Sequence, residues 1–268
     1  MIPDSKVCRA IICPHAGYIY CGPTLKQSYS SLRDAFDTDF ILLFGPSHFK
    51  RLHNSCALSP FQYLDTPLGR LSVAVDAVAA LSKHPDLFAV LSQEEDETEH
   101  SLEMQYPFIK YFLETSKSVP ILPILVGQFD TMAQRSLAAK KLLQTLSGVS
   151  YQRISIVISS DFCHYGPRFG FNPNLANHLH HKIKEMDYEG FEALADKDDP
   201  VNRFSNYLHE TQNTICGREA ILLGLETLKL LNISGQWKLL GYSQSNQAQS
   251  PKDSSVSYLS AGLFVDTS

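Results

Sequence analysis

The chain has 268 residues, of which 44% are hydrophobic, 19% charged and 10% aromatic, and its formal net charge is −5. This composition is typical of a globular protein that buries its own core without disulfide staples. The acidic balance argues against binding to nucleic acid or anionic lipid. No apolar run approaches the roughly 18 residues of a membrane span, so membrane insertion is not expected.

The N-terminus and the cysteines predict a protein of a reducing compartment. The first residues show no basic region followed by an apolar core, so a secretory signal peptide is not expected. The cysteines form no close Cys-x-x-Cys pair and are expected to be free thiols. They are Cys8, Cys13, Cys21, Cys56, Cys163 and Cys216. We therefore expect a cytoplasmic protein, with entry into the nucleus left open.

Apolar runs and helical patterns alternate along the chain. In chain order they predict a strand over Val7–Cys13, a helix over Pro23–Ala35, a strand over Phe40–Phe44, helices over Leu71–Leu81 and Glu97–Leu113, a strand over Val119–Val126, a helix over Thr131–Leu146, a strand over Ile154–Ser159, helices over Asn174–Ala195 and Gly217–Leu231, and a strand over Ser255–Phe264. The two prolines in Val119–Val126 indicate an edge strand or a bend. The polar stretch Gly241–Ser255 is the segment expected to be richest in loops.

The predicted strands are apolar throughout and are separated by helices. This pattern predicts the α/β class, with a mostly parallel or mixed central sheet covered by helices on both faces. No repeat, linker or low-complexity tract divides the chain, so we expect a single domain over residues 1–268.

Three of the predicted strands end in motifs that contain histidine. His15 follows the first strand, His48 follows the second, and Asp161 and His164 follow the strand that ends at Ser159. Ligands of open α/β sheets bind beyond the carboxyl ends of the strands. The three motifs therefore predict a functional cluster at one edge of the sheet.

The residue types in this cluster favour metal binding. Two histidines with one anionic ligand and open positions are the pattern of non-haem iron sites. The anionic ligand could be Asp161, or the thiolate of Cys216, whose pKa the start of the following helix would lower. A buried, inert Cys216 is the alternative. A neutral His164 could act as a general base. No Gly-x-Ser-x-Gly elbow is present, which argues against an α/β-hydrolase. Ser159-Ser160-Asp161 with His164 could also suggest a serine hydrolase, but a triad is recognised by geometry rather than by sequence.

A further histidine follows an acidic stretch. His100 and Glu103 lie three residues apart on a predicted helix, so they share a face and could orient a metal ligand. The acidic residues before them are also typical of a helix start without further function. His178 and His181 could share another helix face, for which a solvated surface is the simpler interpretation.

Six motifs in this order resemble the Memo family, the mediator of ErbB-driven cell motility and its relatives. They are Pro14-His15-Ala16-Gly17-Tyr18, Gly45-Pro46-Ser47-His48, Glu99-His100-Ser101-Leu102-Glu103-Met104, Ser159-Ser160-Asp161-Phe162-Cys163-His164, Asn213-Thr214-Ile215-Cys216-Gly217-Arg218 and Asp253-Ser254-Ser255-Val256-Ser257-Tyr258. The resemblance spans essentially the whole chain. It implies a fold like that of the class III extradiol dioxygenases.

In that comparison, His15 and His48 match metal ligands, and Cys216 stands where the dioxygenases carry a carboxylate. His164 matches their catalytic base, with Asp161 beside it. The resemblance therefore implies one copper or iron ion and a possible metal-dependent oxidoreductase. The thiolate favours copper over hard cations and argues against ring-cleaving dioxygenase activity.

The resemblance also implies a second function, the binding of phosphotyrosine in receptor tails through the same pocket. The cleft histidines and Arg218 would then hold the phosphate without catalysis. Two features differ from the family pattern. A Trp-containing segment that usually precedes the first histidine motif is expected to be absent, since the chain's one Trp is Trp237. Gln105 stands where close relatives often carry histidine. The sequence indicates no oligomeric state.

Overall fold

The structure is a computed structural model and is described over residues 6–33, 38–113, 119–148, 153–173 and 178–266. The strands within these residues are β1 (Lys6–Cys13), β2 (Phe40–Pro46), β3 (Cys56–Leu58), β4 (Tyr63–Leu64), β5 (Leu71–Ser72), β6 (Phe88–Val90), β7 (Ile121–Val126), β8 (Ile154–Ser159), β9 (His164–Tyr165), β10 (Gln236–Gln244) and β11 (Ser255–Asp266). The α-helices are α1 (Tyr18–Arg33), α2 (Val75–Leu81), α3 (Gln93–Thr98), α4 (His100–Glu103), α5 (Tyr106–Leu113), α6 (Met132–Leu146), α7 (Leu179–Leu194), α8 (Pro200–Thr211) and α9 (Arg218–Leu230).

The central sheet brings the three histidine-bearing strand ends together. Its strands follow the order β10-β11-β1-β8-β2-β7-β3-β6, and β9 pairs with β11. The neighbours β1, β8, β2 and β7 run parallel, whereas β11 and β3 are antiparallel to β1 and β7. Adjacent parallel strands end at one edge of a sheet, so β1, β8 and β2 deliver their motifs to the same place. The predicted α/β class with a mixed central sheet is confirmed.

Both faces of the sheet are buried. Alternate residues of one strand point to opposite faces, and Leu42 and Ile156 accordingly lie in one hydrophobic cluster with α6, α7 and α9. Ile41 and Val157 lie in the other cluster, with α1 and α5. The strands are therefore apolar throughout because helices cover both faces, as the sequence pattern indicates.

Two of the predicted helices have different bounds. The predicted helix over Glu97–Leu113 is wrong as one element, because Glu99 adopts an extended conformation with φ −87° and ψ 125° between α3 and α4. The predicted helix over Leu71–Leu81 starts too early, since its first residues form β5 and the helix begins at Val75. In both cases the spacing of apolar residues continues across the point where the helix is interrupted, so the sequence pattern does not indicate the interruption.

The first helix begins earlier than predicted. The Gly17 carbonyl accepts hydrogen bonds from the backbone of Tyr20 and Cys21, which starts α1 at Tyr18 and leaves Pro23 inside the helix. The end of this predicted helix, at Ala35, lies outside the described residues. The same holds for the first four residues of the helix predicted over Asn174–Ala195, of which α7 begins at Leu179.

The strand β7 lies inside the sheet, so the interpretation of its prolines as an edge signal is wrong. It pairs with β2 on one side and β3 on the other, and Pro123 lies opposite Leu43. A proline lacks an N–H group but keeps its carbonyl, and the Pro120 carbonyl accepts a hydrogen bond from Ile41. The predicted loop over Gly241–Ser255 is also shorter, because β10 extends to Gln244. The helix α8 was not predicted.

The described part of the chain contains no helix that is both long and apolar enough to cross a membrane. All six cysteines are free thiols. Five of them are buried, and Cys216 is the one with partial exposure.

A polar network surrounds Asp187 of α7, which is fully buried. Its Oδ1 accepts hydrogen bonds from the backbone N–H of Cys163 at 3.2 Å and from Asn213 Nδ2 at 3.0 Å. Its Oδ2 accepts one from the Tyr242 hydroxyl at 2.9 Å. Burial raises the pKa of this carboxyl to about 6, and the hydrogen bonds limit the rise. The ionised form is therefore disfavoured in the folded protein.

This raised pKa predicts a pH-dependent cost in stability. A group whose folded-state pKa exceeds its unfolded value stabilises the fold at low pH, and that contribution is lost as the pH rises through the folded pKa. We expect Asp187→Asn to gain roughly 2 kcal/mol in unfolding free energy relative to the wild type between pH 4 and pH 8. Urea unfolding of both proteins at each pH measures this difference. A difference that does not change with pH would contradict the prediction.

Candidate metal centre

The edge formed by β1, β8 and β2 gathers side chains from four segments. His15 and His48 lie just beyond the ends of β1 and β2, His164 begins β9, and Cys216 precedes α9. One ligand atom each from His15, His48 and Cys216 lies within 4.8 Å of the other two. Residues separated by up to 201 positions thus converge in space, with the Cys216 Sγ 3.3 Å from His15 Nε2.

The His15 ring is held from behind by Ser159, the last residue of β8. The Ser159 hydroxyl donates its one proton to the Ser101 carbonyl at 2.7 Å. It can therefore only accept from His15 Nδ1, which lies 2.9 Å away. This assigns the proton to Nδ1 and leaves the Nε2 lone pair facing Cys216. Burial, followed by the neighbouring histidines, lowers the pKa of His15 well below its usual value, so the ring stays neutral.

Gln105 fills the space behind His15 and is completely buried. Its amide nitrogen donates to the Ser159 hydroxyl and to the Pro14 carbonyl, each at 2.9 Å. Its carbonyl oxygen accepts from the Tyr29 hydroxyl at 3.1 Å and from the Cys13 thiol at 3.2 Å. Gln105 is thus part of the support for His15, and its amide is fully engaged where the resemblance leads one to expect an imidazole.

The His48 side chain is oriented by Glu99. The carboxylate accepts from His48 Nδ1 at 2.9 Å and from the His48 backbone N–H at 2.6 Å. Burial alone would raise the pKa of Glu99, but these bonds and one from Ser101 lower it to about 2. The ionised carboxylate fixes the proton on Nδ1, which leaves His48 Nε2 free as a donor atom.

Sequence reasoning missed Glu99 as a functional residue. The pair that it proposed was His100 with Glu103, which do lie together on the short helix α4, one residue after Glu99. The extended conformation of Glu99 turns its carboxylate toward His48 instead. The available signal was the acidic residue directly before a histidine motif, but only the break between α3 and α4 gives it a role.

His100 lies beside the cluster without a comparable support. Its ring stacks on that of His48 at 4.6 Å and meets that of His15 edge-on at 5.7 Å. Its side chain is 47% exposed. His48, Glu99 and His100 form the second group of possible ligand atoms among the described residues. Because the Glu99 oxygens already bind His48 and Ser101, that group is the weaker candidate for an ion.

Glu103 and Arg218 occupy the surroundings of the cluster. Glu103 is exposed and lines an acidic pocket of about 240 Å³ together with Glu99. Among the residues that the structure describes, it forms no hydrogen bond with His100. Arg218 is exposed at the start of α9 and lines a cleft of about 440 Å³ that also contains His48 and Cys216. Lys50 and Arg51 line the same cleft.

His164 is fixed by two carbonyl groups. Its Nδ1 lies 2.9 Å from the Phe162 carbonyl and 3.0 Å from the Thr214 carbonyl. Both partners can only accept, so Nδ1 carries the proton and Nε2 has the lone pair. Burial lowers the pKa of His164 below its usual value. The ring can therefore accept a proton at Nε2.

Asp161 does not turn its carboxylate toward the donor atoms. Its Oδ1 accepts the backbone N–H of His15 at 2.9 Å, which holds the loop after β1 in place. Burial raises the pKa of Asp161 to about 7. Of the two anionic ligands that the sequence left open, the geometry therefore brings Cys216 to the histidines, and Asp161 supports the backbone.

The expected lowering of the Cys216 pKa does not occur. Cys216 precedes Gly217, the N-cap of α9, and its thiol is close to the Asp161 carbonyl at 3.6 Å. Burial, and then the nearby Asp161 charge, raise the pKa of the thiol. The short reach of a helix N-terminus is outweighed by desolvation here, so Cys216 becomes a thiolate only when a cation replaces its proton.

These donors fit a transition metal. Two imidazoles, each bonded through Nδ1, and one cysteine form a soft set that suits copper, iron or zinc. Both histidines also have the Nδ1 partners that metal-bound histidines generally need. The fit rests on residues of three separate segments, each fixed before any ion binds.

The chain is similar in sequence to members of one known protein family. The Memo family model, described as Memo-like protein, matches residues 2–262. A memo-1 homolog of Caenorhabditis elegans is 38% identical, with 98% of this chain and 74% of that protein covered. A MEMO1 family protein of Schizosaccharomyces pombe is 35% identical over 94% of this chain and 87% of its own. Protein MEMO1 of Rattus norvegicus is 37% identical over 96% and 86%.

One solved structure supports the fold alone. The crystal structure of an uncharacterized Escherichia coli K12 protein, JW3007, aligns with a TM-score of 0.52 at 13% identity, over 95% of this chain and 98% of that one. The family match and the relatives agree with the six motifs around the sheet edge. The chain belongs to the Memo family.

Proposed function

We propose that the protein binds one copper or iron ion through His15, His48 and Cys216. The observation that carries the proposal is the convergence of the three ligand atoms within 4.8 Å of one another. The hydrogen bonds that leave both Nε2 atoms free add to it, because a ligand histidine must present a lone pair. A bound copper or iron ion would supply one-electron redox chemistry with oxygen.

The residues around the ion would contribute in different ways. Ser159 and Glu99 hold the two imidazoles in the orientation that an ion needs. Partly buried His164 can take up or release a proton at Nε2. Asp161 fixes the backbone at His15. These roles support a metal-dependent oxidoreductase, while the cysteine argues against ring cleavage, which relies on a carboxylate ligand in the related dioxygenases.

The test is elemental analysis of protein purified without a metal-chelating resin. Wild type and Cys216→Ser are compared side by side, as purified and after anaerobic loading with Cu(I) or Fe(II). We expect about one copper or iron per wild-type chain and its loss in the variant, because an alcohol is a poor replacement for a thiolate at a soft site. Cys56→Ser, which changes a buried cysteine elsewhere, serves as the matched control.

A wild-type protein that takes up neither ion would contradict the proposal. That result would favour the second candidate function, a phosphotyrosine-binding pocket without catalysis. The cationic lining of the cleft by Lys50, Arg51 and Arg218 supports this candidate. Arginine holds phosphate through charged, often bidentate, hydrogen bonds. Metal-free protein is therefore also titrated with a phosphotyrosine peptide and its unphosphorylated form; equal affinity would exclude phosphate recognition.

A further inference from the structure

We propose that Asp187 is a positioning residue, which sets the placement of His164 relative to Cys216. Asp187 lies on α7, behind the site, and belongs to none of the motifs at the sheet edge. The inference extends the proposed function and rests on it, because the joint role of His164 and Cys216 belongs to the proposed metal site. The placement itself is a property of the metal-free protein.

One oxygen atom joins the two segments that carry these residues. Asp187 Oδ1 accepts the backbone N–H of Cys163, the residue before His164, at 3.2 Å. The same atom accepts Nδ2 of Asn213, three residues before Cys216, at 3.0 Å. Asn213 Nδ2 also donates to the Tyr207 hydroxyl at 2.7 Å. A single acceptor thus fastens both segments to helix α7.

The two segments are joined again at the site itself. The His164 backbone N–H donates to the Thr214 hydroxyl at 2.9 Å, and this hydroxyl donates to the His164 carbonyl at 2.9 Å. The Thr214 carbonyl lies 3.0 Å from His164 Nδ1. A shift of the segment near Asn213 would therefore change the bond that fixes the proton of His164 as well as the position of Cys216.

The carboxyl group is needed as an acceptor at this point. Asp187 is fully buried, so a lost hydrogen bond cannot be replaced by bulk water. Its second oxygen bonds to Tyr242, whose hydroxyl also lies 3.0 Å from Ser257 Oγ. Ser257 meets the segment of Cys163 only through backbone hydrogen bonds, which a substitution of the Tyr242 side chain leaves in place. The two halves can therefore be separated by substitution.

The test uses four variants of the full metal-free chain. Asp187→Ala removes both acceptor atoms, and Asp187→Asn keeps one oxygen for Cys163 and Asn213. Asn213→Ala removes the hydrogen bond from the Cys216 segment to Asp187, together with the one to the Tyr207 hydroxyl, and leaves the bond from Cys163 intact. Tyr242→Phe is the matched control, since it removes the hydroxyl from the other half of the network. Far-ultraviolet circular dichroism and thermal melting identify variants that fold.

Two readouts follow the placement without any metal. Imidazole ¹⁵N spectra report whether His164 keeps its proton on Nδ1. Alkylation of Cys216, followed by peptide mass spectrometry, reports its exposure, because the other five cysteines are buried. We expect Asn213→Ala and folded Asp187→Ala to raise the alkylation rate roughly tenfold, as one lost buried hydrogen bond eases local opening. Asp187→Ala should also lose the Nδ1–H signature of His164.

Wild-type behaviour of both readouts in Asp187→Asn and Tyr242→Phe is expected. Unchanged readouts in folded Asp187→Ala would overturn the inference. If Asp187→Ala does not fold, an unchanged Cys216 rate in Asn213→Ala overturns it instead. The same rise in Tyr242→Phe as in Asn213→Ala would also overturn it, since the effect would then be general loosening. A failure of the wild type to bind metal would refute the proposed function and leave these results standing.

Discussion

Replacing His48 by alanine is expected to abolish stoichiometric binding of copper or iron. His48 Nε2 is one of two imidazole donors, and Glu99 has already fixed its orientation. Removing the ring leaves His15 and Cys216, too few protein ligands for a stable site. Affinity should fall by more than the roughly 10–100-fold typical of losing a supporting residue. Competition with a colorimetric chelator under anaerobic conditions measures it.

Two substitutions at neighbouring residues serve as comparisons for the loss of metal affinity in His48→Ala. Glu99→Gln keeps His48 but weakens its support, so we expect a decrease of roughly 10–100-fold. His100→Ala removes a ring that stacks on His48 but is 47% exposed, and whose Nδ1 lies 3.7 Å from Glu99 Oε1, beyond hydrogen-bond distance. It should leave the stoichiometry at one ion. Full metal content in His48→Ala, or loss of the ion in His100→Ala, would show that the ligand set is different.

Replacing Arg135 by methionine is expected to destabilise the fold by about 3–5 kcal/mol, as breaking a buried ion pair usually does. Arg135 of α6 is 3% exposed. Its Nε lies 3.1 Å from Glu226 and its Nη1 3.1 Å from Glu219, both on α9. Burial raises the pKa of Glu219 and Arg135 opposes the rise. Without the guanidinium, the largely buried carboxylates of Glu219 and Glu226 lose the cation that lies between them.

Urea unfolding at neutral pH measures this effect. The matched control is Arg135→Met combined with Glu219→Gln and Glu226→Gln, which removes both unpaired charges and should recover much of the loss. A loss in Arg135→Met of only about 1 kcal/mol, the value of an exposed ion pair, would contradict the prediction. The result bears on the site because α9 begins two residues after Cys216.

The residues that carry the metal proposal were readable from the chain because the motifs occur where predicted strands end. His15, His48 and His164 each follow an apolar run, and parallel strands deliver such residues to one edge. The sequence alone did not establish Cys216 as a ligand, since a cysteine before a helix is also typical of an inert core residue. Only its distance of 3.3 Å from His15 Nε2 distinguishes the two interpretations.

The supporting residues could not be predicted, because their partners are far apart in sequence. Glu99 reaches His48 across 51 positions and Ser159 reaches His15 across 144. Asp187 lies 24 positions from Cys163 and 26 from Asn213. Each contact depends on how a helix or loop packs against the sheet, which no local pattern encodes. The expectation for the Cys216 pKa failed for the same reason, as burial is a tertiary property.

By itself, the sequence determined the α/β class, the apolar strands and the histidine motifs that place the chain in the Memo family. These follow from local periodicity and from residue types at strand ends, which the backbone geometry of a parallel sheet translates directly into position. Only the tertiary structure decided that Cys216 rather than Asp161 faces the histidines, that Glu99 rather than Glu103 orients His48, and that Asp187 joins two segments. Those choices depend on side-chain direction and burial, which are set when distant segments pack together.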